Sequence, residues 1–150
     1  MNKYELRIIT ATGVLLMSFL FAVLYAAYDR KIDLPSCIPF NASFKNPRVK
    51  QVDSTTYEVY AVAKMWSFEP AQIELPVGST VDFYLTSNDV VHGFDIASKG
   101  VNMMAIYGAV NKSTVKFEKP GIYKILCHEY CGAGHQNMQA EVIVNYPDAK

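Results

Sequence analysis

The residues with the most distinctive chemistry in this 150-residue chain gather late in the sequence. Cys127-His128-Glu129-Tyr130-Cys131-Gly132-Ala133-Gly134-His135-Gln136-Asn137-Met138 reads C-x3-C-x3-H-x2-M. Thiolate, imidazole and thioether are ligands that suit copper. A loop joining two strands can fold these four side chains inward around one small volume, and Gly132 and Gly134 permit the tight turns this needs. His92, in Val90-Val91-His92-Gly93-Phe94, stands 35 residues before Cys127 and follows a predicted strand. A loop at the same end of a β-sandwich would bring this second imidazole alongside.

The number of ligands bears on the number of metals. A mononuclear blue-copper site uses one Cys, two His and a weak axial Met, so the second Cys is one thiolate too many. Zinc favours Cys and His but rarely takes Met. Two thiolates bridging two coppers, each capped by one His, with Met138 a weak ligand on one, would use every residue. Cys127 and Cys131 alone would also fit a disulfide in an exported protein. His135 and Met138 at this spacing weigh against that reading.

These residues need a rigid frame, and the sequence supplies strand patterns for one. Residues 57–63 and 80–85 are rich in β-branched and aromatic types, while 114–118 and 141–144 alternate polar and apolar. Turn signals lie between them at 76–79, 98–100 and 119–121. Short strands punctuated in this way predict an all-β sandwich or barrel, for which about 100 residues suffice.

Ahead of it lies a segment of another kind. Residues 6–28 are mostly apolar, with Arg7 the only charge and no proline, enough to cross a hydrocarbon core of about 30 Å. A signal peptide would have a shorter apolar run and a better small-residue cleavage site than Leu24-Tyr25-Ala26. A buried core helix would be shorter and show a polar face. The division expected is an anchor over 1–31, a linker over 32–55 containing Pro35, Pro39 and Pro47, and a folded domain over 56–150. Lys3 and Arg7 precede the apolar run and Arg30 and Lys31 follow it, so flanking charge does not choose an orientation. Asn41-Ala42-Ser43 fits a glycosylation sequon of a kind common by chance, and Cys37 reads as a free or interface thiol.

The net charge is zero, but residues 51–150 carry seven Lys/Arg against eleven Asp/Glu. That acidic excess argues against nucleic acid as a partner and suits a basic one.

The motif at 127–138, together with Asp89-Val90-Val91-His92-Gly93-Phe94, resembles subunit II of the haem-copper terminal oxidases (cytochrome c oxidase). The resemblance covers roughly residues 57–144. It implies a cupredoxin-like Greek-key β-sandwich behind one N-terminal transmembrane helix, with a dinuclear copper A centre. By that resemblance Cys127 and Cys131 bridge two copper ions, and His92 and His135 are terminal ligands. Met138 and the backbone carbonyl of Glu129 complete the two spheres. In many members the side chain at the Glu129 position also helps hold magnesium against subunit I, a role open to Glu129 here. The function implied is electron relay from a cytochrome c to haem in subunit I, where oxygen is reduced. The domain is then expected on the periplasmic side of the inner membrane, its helix in lipid.

The chain departs from the family pattern in three places. It has one apolar helix where most members have two, as in the shorter branch. His128 occupies a variable position and is expected to point outward. Of the two aromatics that mark where electrons enter, Trp66 matches one, but Lys64 stands in place of the other. Rival functions each meet a countable obstacle. A freestanding mononuclear carrier leaves Cys131 unused, and a copper-delivery protein needs a more open ligand set. A nitrous oxide reductase needs a large catalytic domain, and quinol oxidase subunits lack the copper ligands.

Overall fold

A strand with one face on a core buries every second residue, and β6 (Thr80–Ser87) and β11 (Gln139–Asn145) largely follow this rule. β3 (Thr56–Lys64) instead buries Ala61, Val62 and Ala63 in succession. Its inner face meets the main core, while Val62 joins Phe44 and Val110 in a small outer cluster. The computed structural model describes residues 2–30, the backbone of 36–38, and residues 44–146. It divides into two compact units, Met1–Ile32 and Asp33–Lys150.

The first unit is α1 (Lys3–Asp29), 27 residues or about 40 Å of helix. It begins earlier than hydrophobicity alone predicts because Asn2 and Glu5 form a capping box. The Asn2 side chain accepts from the Tyr4 N–H, and Glu5 accepts from the Asn2 N–H at 2.9 Å. None of its side chains is buried, and it is long and apolar enough to cross a membrane.

The second unit is a two-sheet sandwich. One sheet runs β1 (Ser36–Ile38), β9 (Val110–Lys116), β6, β3, β2 (Arg48–Gln51), with β4 (Ser67–Glu69) also paired to β3. The other runs β5 (Gln72–Pro76), β11, β10 (Gly121–Leu126), β7 (His92–Ile96), β8 (Val101–Ala105). Strands distant in sequence lie side by side, β3 parallel to β6 and β5 parallel to β11, through the crossovers of a Greek-key sandwich. Part of the stretch expected as linker is therefore strand. β1 pairs with β9, and β2 pairs with β3 as a fully exposed edge, so Arg48-Val49-Lys50-Gln51 had no burial pattern to reveal it. The Cys37 side chain and the 41–43 triplet lie outside the described residues.

Phe68, Phe83, Phe94 and Phe117 are fully buried, and Phe94 meets Phe68 edge-on at 5.4 Å between centroids and Phe83 at 5.6 Å. On β7 the inward positions are His92, Phe94 and Ile96, so the aromatic core fixes the face on which His92 lies. Phe94→Ala is expected to destabilise the sandwich by about 3–5 kcal/mol in denaturant unfolding. A loss within about 0.5 kcal/mol would mean that Phe94 does not anchor this strand.

The strand directions bring four connections to one end: 65–66, 88–91, 106–109 and 127–138. β3, β6, β8 and β10 end there, and β4, β7, β9 and β11 begin there.

Candidate metal centre

The 127–138 connection leaves β10 and returns into β11 as a closed loop. The Cys127 N–H donates to the Met138 carbonyl at 3.2 Å across its base. Inside it, His135 N–H reaches Gly132 O at 3.1 Å and Met138 N–H reaches His135 O at 3.1 Å, forming a one-turn helix over His135–Asn137. Gly132 has φ of +112°, where a side chain would be strained. Gly134 is needed for a different reason than the turn expected from sequence. Its φ is an ordinary −95°, but a Cβ there would come within 2.5 Å of the Trp66 ring.

The loop turns its donors inward. Cys131 Sγ lies 3.8 Å from Cys127 Sγ, 3.6 Å from His135 Nδ1 and 3.7 Å from Met138 Sδ. Cys131 and Met138 are buried in the main core cluster, and Cys127 is half-buried against it. The Cys127 thiol donates to the Glu129 carbonyl at 3.2 Å, so this backbone oxygen faces the sulfurs while the Glu129 residue is exposed. Tyr130, also exposed, sets its ring edge-on to His135 at 5.9 Å.

His92 arrives from the opposite side. It is the first residue of β7 rather than a loop residue, and it is fully buried. Its ligand atom and those of Cys127 and Cys131 lie within 4.8 Å of one another. Its Nε2 is 2.7 Å from Asp89 Oδ1. A carboxylate only accepts, so Nε2 donates to it and Nδ1 is the ring nitrogen left over. That Nδ1 is the single buried side-chain nitrogen or oxygen among the described residues without a hydrogen-bond partner. A buried acceptor left unpaired is costly unless something binds it. The donor set beside it is what a soft metal ion requires.

The electrostatics agree. Burial pushes the Cys131 thiol up to about 11, with the neighbouring Cys127 and the Asp89 charge adding to it. A metal ion would reverse this by holding the thiolate. Burial also raises the Asp89 carboxyl, but hydrogen bonds from His92, Met65 and Val90 outweigh it and hold it below the ordinary carboxylate value. Asp89 is the functional residue to which sequence reasoning gave no role. Its signal was a carboxylate three positions before a candidate ligand, where the outer ring nitrogen needs an acceptor.

Trp66 meets the loop from outside. It is 44% exposed, yet its indole Nε1 donates to the Cys131 carbonyl at 3.0 Å and its ring lies against Gly132 and Gly134. Lys64 is ion-paired with Glu69 and half exposed. His128 is exposed, its ring lying over Gly93, where an added Cβ would sit 2.6 Å away. The four connections at this end contain Asp89 and Glu129 but no Lys or Arg. Met65, Val90, Val91, Ile106, Tyr107 and Tyr130 are exposed there. These two carboxylates make up half of the net acidic excess of four in residues 51–150.

A family model described as the periplasmic domain of cytochrome c oxidase subunit II matches residues 49–145. Among curated relatives, a cytochrome c oxidase subunit 2 of Thermus thermophilus is 38% identical over 96 residues, covering 64% of this chain and 71% of the relative. A second Thermus thermophilus relative has the same identity over 96 residues, and there this chain spans 57% of the relative's length. A solved chain from a haem-copper terminal oxidase dimer superposes with a TM-score of 0.84 at 40% identity, over 95% of this chain and 100% of that one. The periplasmic domain of subunit II of cytochrome oxidase from Bradyrhizobium japonicum shares the fold, with a TM-score of 0.56 at 23% identity over 59% of this chain and 83% of that one. The sandwich and its inward-turned soft donors agree with these likenesses, and the chain belongs to the cytochrome c oxidase subunit II family.

Proposed function

We propose that this chain is the electron-transfer subunit of a terminal respiratory oxidase, taking electrons from cytochrome c at a dinuclear copper A centre and passing them to haem in subunit I. The observation that carries the reading is the convergence of two thiols, two imidazoles and a thioether, with the buried Nδ1 of His92 lacking any protein partner. Cys127 and Cys131 would hold the copper as thiolates, with His92 and His135 supplying one imidazole each. Met138 Sδ and the Glu129 carbonyl complete the set. When bound, the copper pair shares one electron over both ions, so neither changes its bond lengths much.

The residues around the ligands have distinct tasks. Asp89 presents the His92 lone pair. The core around Cys131 and Met138 keeps water from the sulfurs and lowers the local dielectric. The Trp66 indole links solvent to the Cys131 carbonyl through one hydrogen bond and marks where electrons enter. The exposed apolar residues of the connections at this end, which contain no Lys or Arg, form the surface where the donor docks. The Glu129 carboxylate, which is exposed, would be free to help hold magnesium against subunit I. The helix α1 anchors the chain in the inner membrane with the sandwich on the periplasmic side.

Met138→Leu tests the weak-ligand assignment. It is expected to retain both coppers and shift the midpoint potential; loss of all copper would mean that Met138 is a principal ligand. The relay itself is tested by rapidly mixing the copper-loaded chain with reduced cytochrome c. Uptake of one electron per two coppers supports it. Failure of the donor to reduce the site, or uptake of one electron per copper, overturns it.

A further inference from the structure

The turn that carries Trp66 and the strand that carries His92 meet at one carboxylate. Asp89 receives donors on both oxygens: His92 Nε2 at 2.7 Å on Oδ1 and the Met65 backbone N–H at 2.7 Å on Oδ2. Its own turn holds it in place, with the Val90 N–H reaching Oδ1 at 2.7 Å and the Asp89 N–H donating to Ser87 Oγ at 3.2 Å. Trp66 follows Met65 directly, and its indole donates to the Cys131 carbonyl at 3.0 Å. The contacts close a ring, because the Cys131 sulfur lies within 4.8 Å of the ligand atom of His92.

A carboxylate is the side chain this junction requires. Both arriving groups are donors, and only a carboxylate accepts on both of its terminal atoms. An amide accepts at one end and donates at the other. Asparagine can therefore serve both only if His92 moves its proton to Nδ1 and accepts at Nε2; otherwise one of the two is released.

We infer that Asp89 is a positioning residue that fastens the Met65–Trp66 turn to His92, so that the indole and the metal ligands are held as one unit. Its functional meaning rests on the assignments of Trp66 and His92 made above. The tether itself belongs to the metal-free protein, and a test without metal separates the two.

The experiment is NMR of the isotope-labelled, metal-free, full-length chain in detergent micelles. In the unsubstituted chain, His92 is expected to carry its proton on Nε2 and the Met65 amide to be protected from exchange. In Asp89→Asn, either the Met65 amide exchanges about tenfold to a hundredfold faster, or His92 moves its proton to Nδ1. Where the Met65 amide is released, the indole N–H of Trp66, the single tryptophan, is expected to exchange faster and its fluorescence to change, although its hydrogen bond is to Cys131 and not to residue 89. A variant with Met65 and His92 both unaltered overturns the tether, as does an Nδ1 proton in the unsubstituted chain. An unaltered indole beside a released Met65 amide overturns the coupling; where Met65 stays protected and His92 has moved its proton, Trp66→Phe decides it. Should Asp89→Asn fail to fold, Trp66→Phe reads the same link from the other side. Removing the donor to Cys131 is then expected to speed exchange at Met65, and no change there overturns the coupling. A chain that meets these expectations yet binds no copper has the tether without the proposed centre.

Discussion

Cys131→Ser is expected to cut bound copper from two ions to one or none. Its sulfur is the point on which the site converges, with the second sulfur, an imidazole nitrogen and a thioether 3.6–3.8 Å away. Serine keeps the size but not the chemistry: its hydroxyl stays protonated at neutral pH and is a hard donor where copper wants a soft one. Without a second thiolate the remaining set of one Cys, two His and one Met is that of a mononuclear site. The measurement is metal analysis with the visible spectrum of the full chain. Two coppers and an unchanged spectrum would mean that Cys131 is not a bridging ligand.

Copper loading is expected to grow tighter as pH rises. The metal-free Cys131 thiol, pushed up to about 11 first by burial and then by Cys127 and Asp89, holds its proton throughout the neutral range. Binding as thiolate must expel that proton, so apparent affinity rises about tenfold per pH unit from this thiol alone. Competition against a chelator of known pH dependence should show a gain of at least about a hundredfold between about pH 6 and about pH 8. An affinity independent of pH would contradict a thiolate ligand at Cys131. The metal-free sandwich has the related weakness that its stability falls as pH climbs from the ordinary thiol value toward 11. There the unfolded thiol has released its proton and the folded one still holds it.

The parts of the fold legible in sequence are those where one physical cause acts alone. The strands at 57–63, 80–85 and 141–144 emerged as β3, β6 and β11, each longer by a residue or more at its ends. The strand expected at 114–118 instead runs over Val110–Lys116. β10 was hidden because Ile122 and Leu126 are apolar yet exposed, which erases the alternation that burial would write. β8 was hidden by Met103 and Met104, which have no strong preference for strand. Edge strands such as β2 bury nothing and carry no such signal.

The site divides in the same way. Cys127, Cys131, His135 and Met138 were legible because one loop carries them, and chemistry alone made the spacing informative. His92 was expected from the same reasoning, but in a loop; its seat at the start of β7 depends on its sharing a face with Phe94 and Ile96. Asp89 beside His92 is a local contact, but its tie to Met65 and the fit of Gly134 against Trp66 reach across 24 residues or more. No local pattern encodes such contacts.

The most direct test of the dinuclear centre is copper stoichiometry together with electron spin resonance on the copper-loaded full chain. Two coppers per chain, with one unpaired electron spread equally over both nuclei in the mixed-valence state, is the expected result. One copper with the electron localised on a single nucleus would contradict it and turn the site into a mononuclear carrier. No bound copper would contradict the centre altogether.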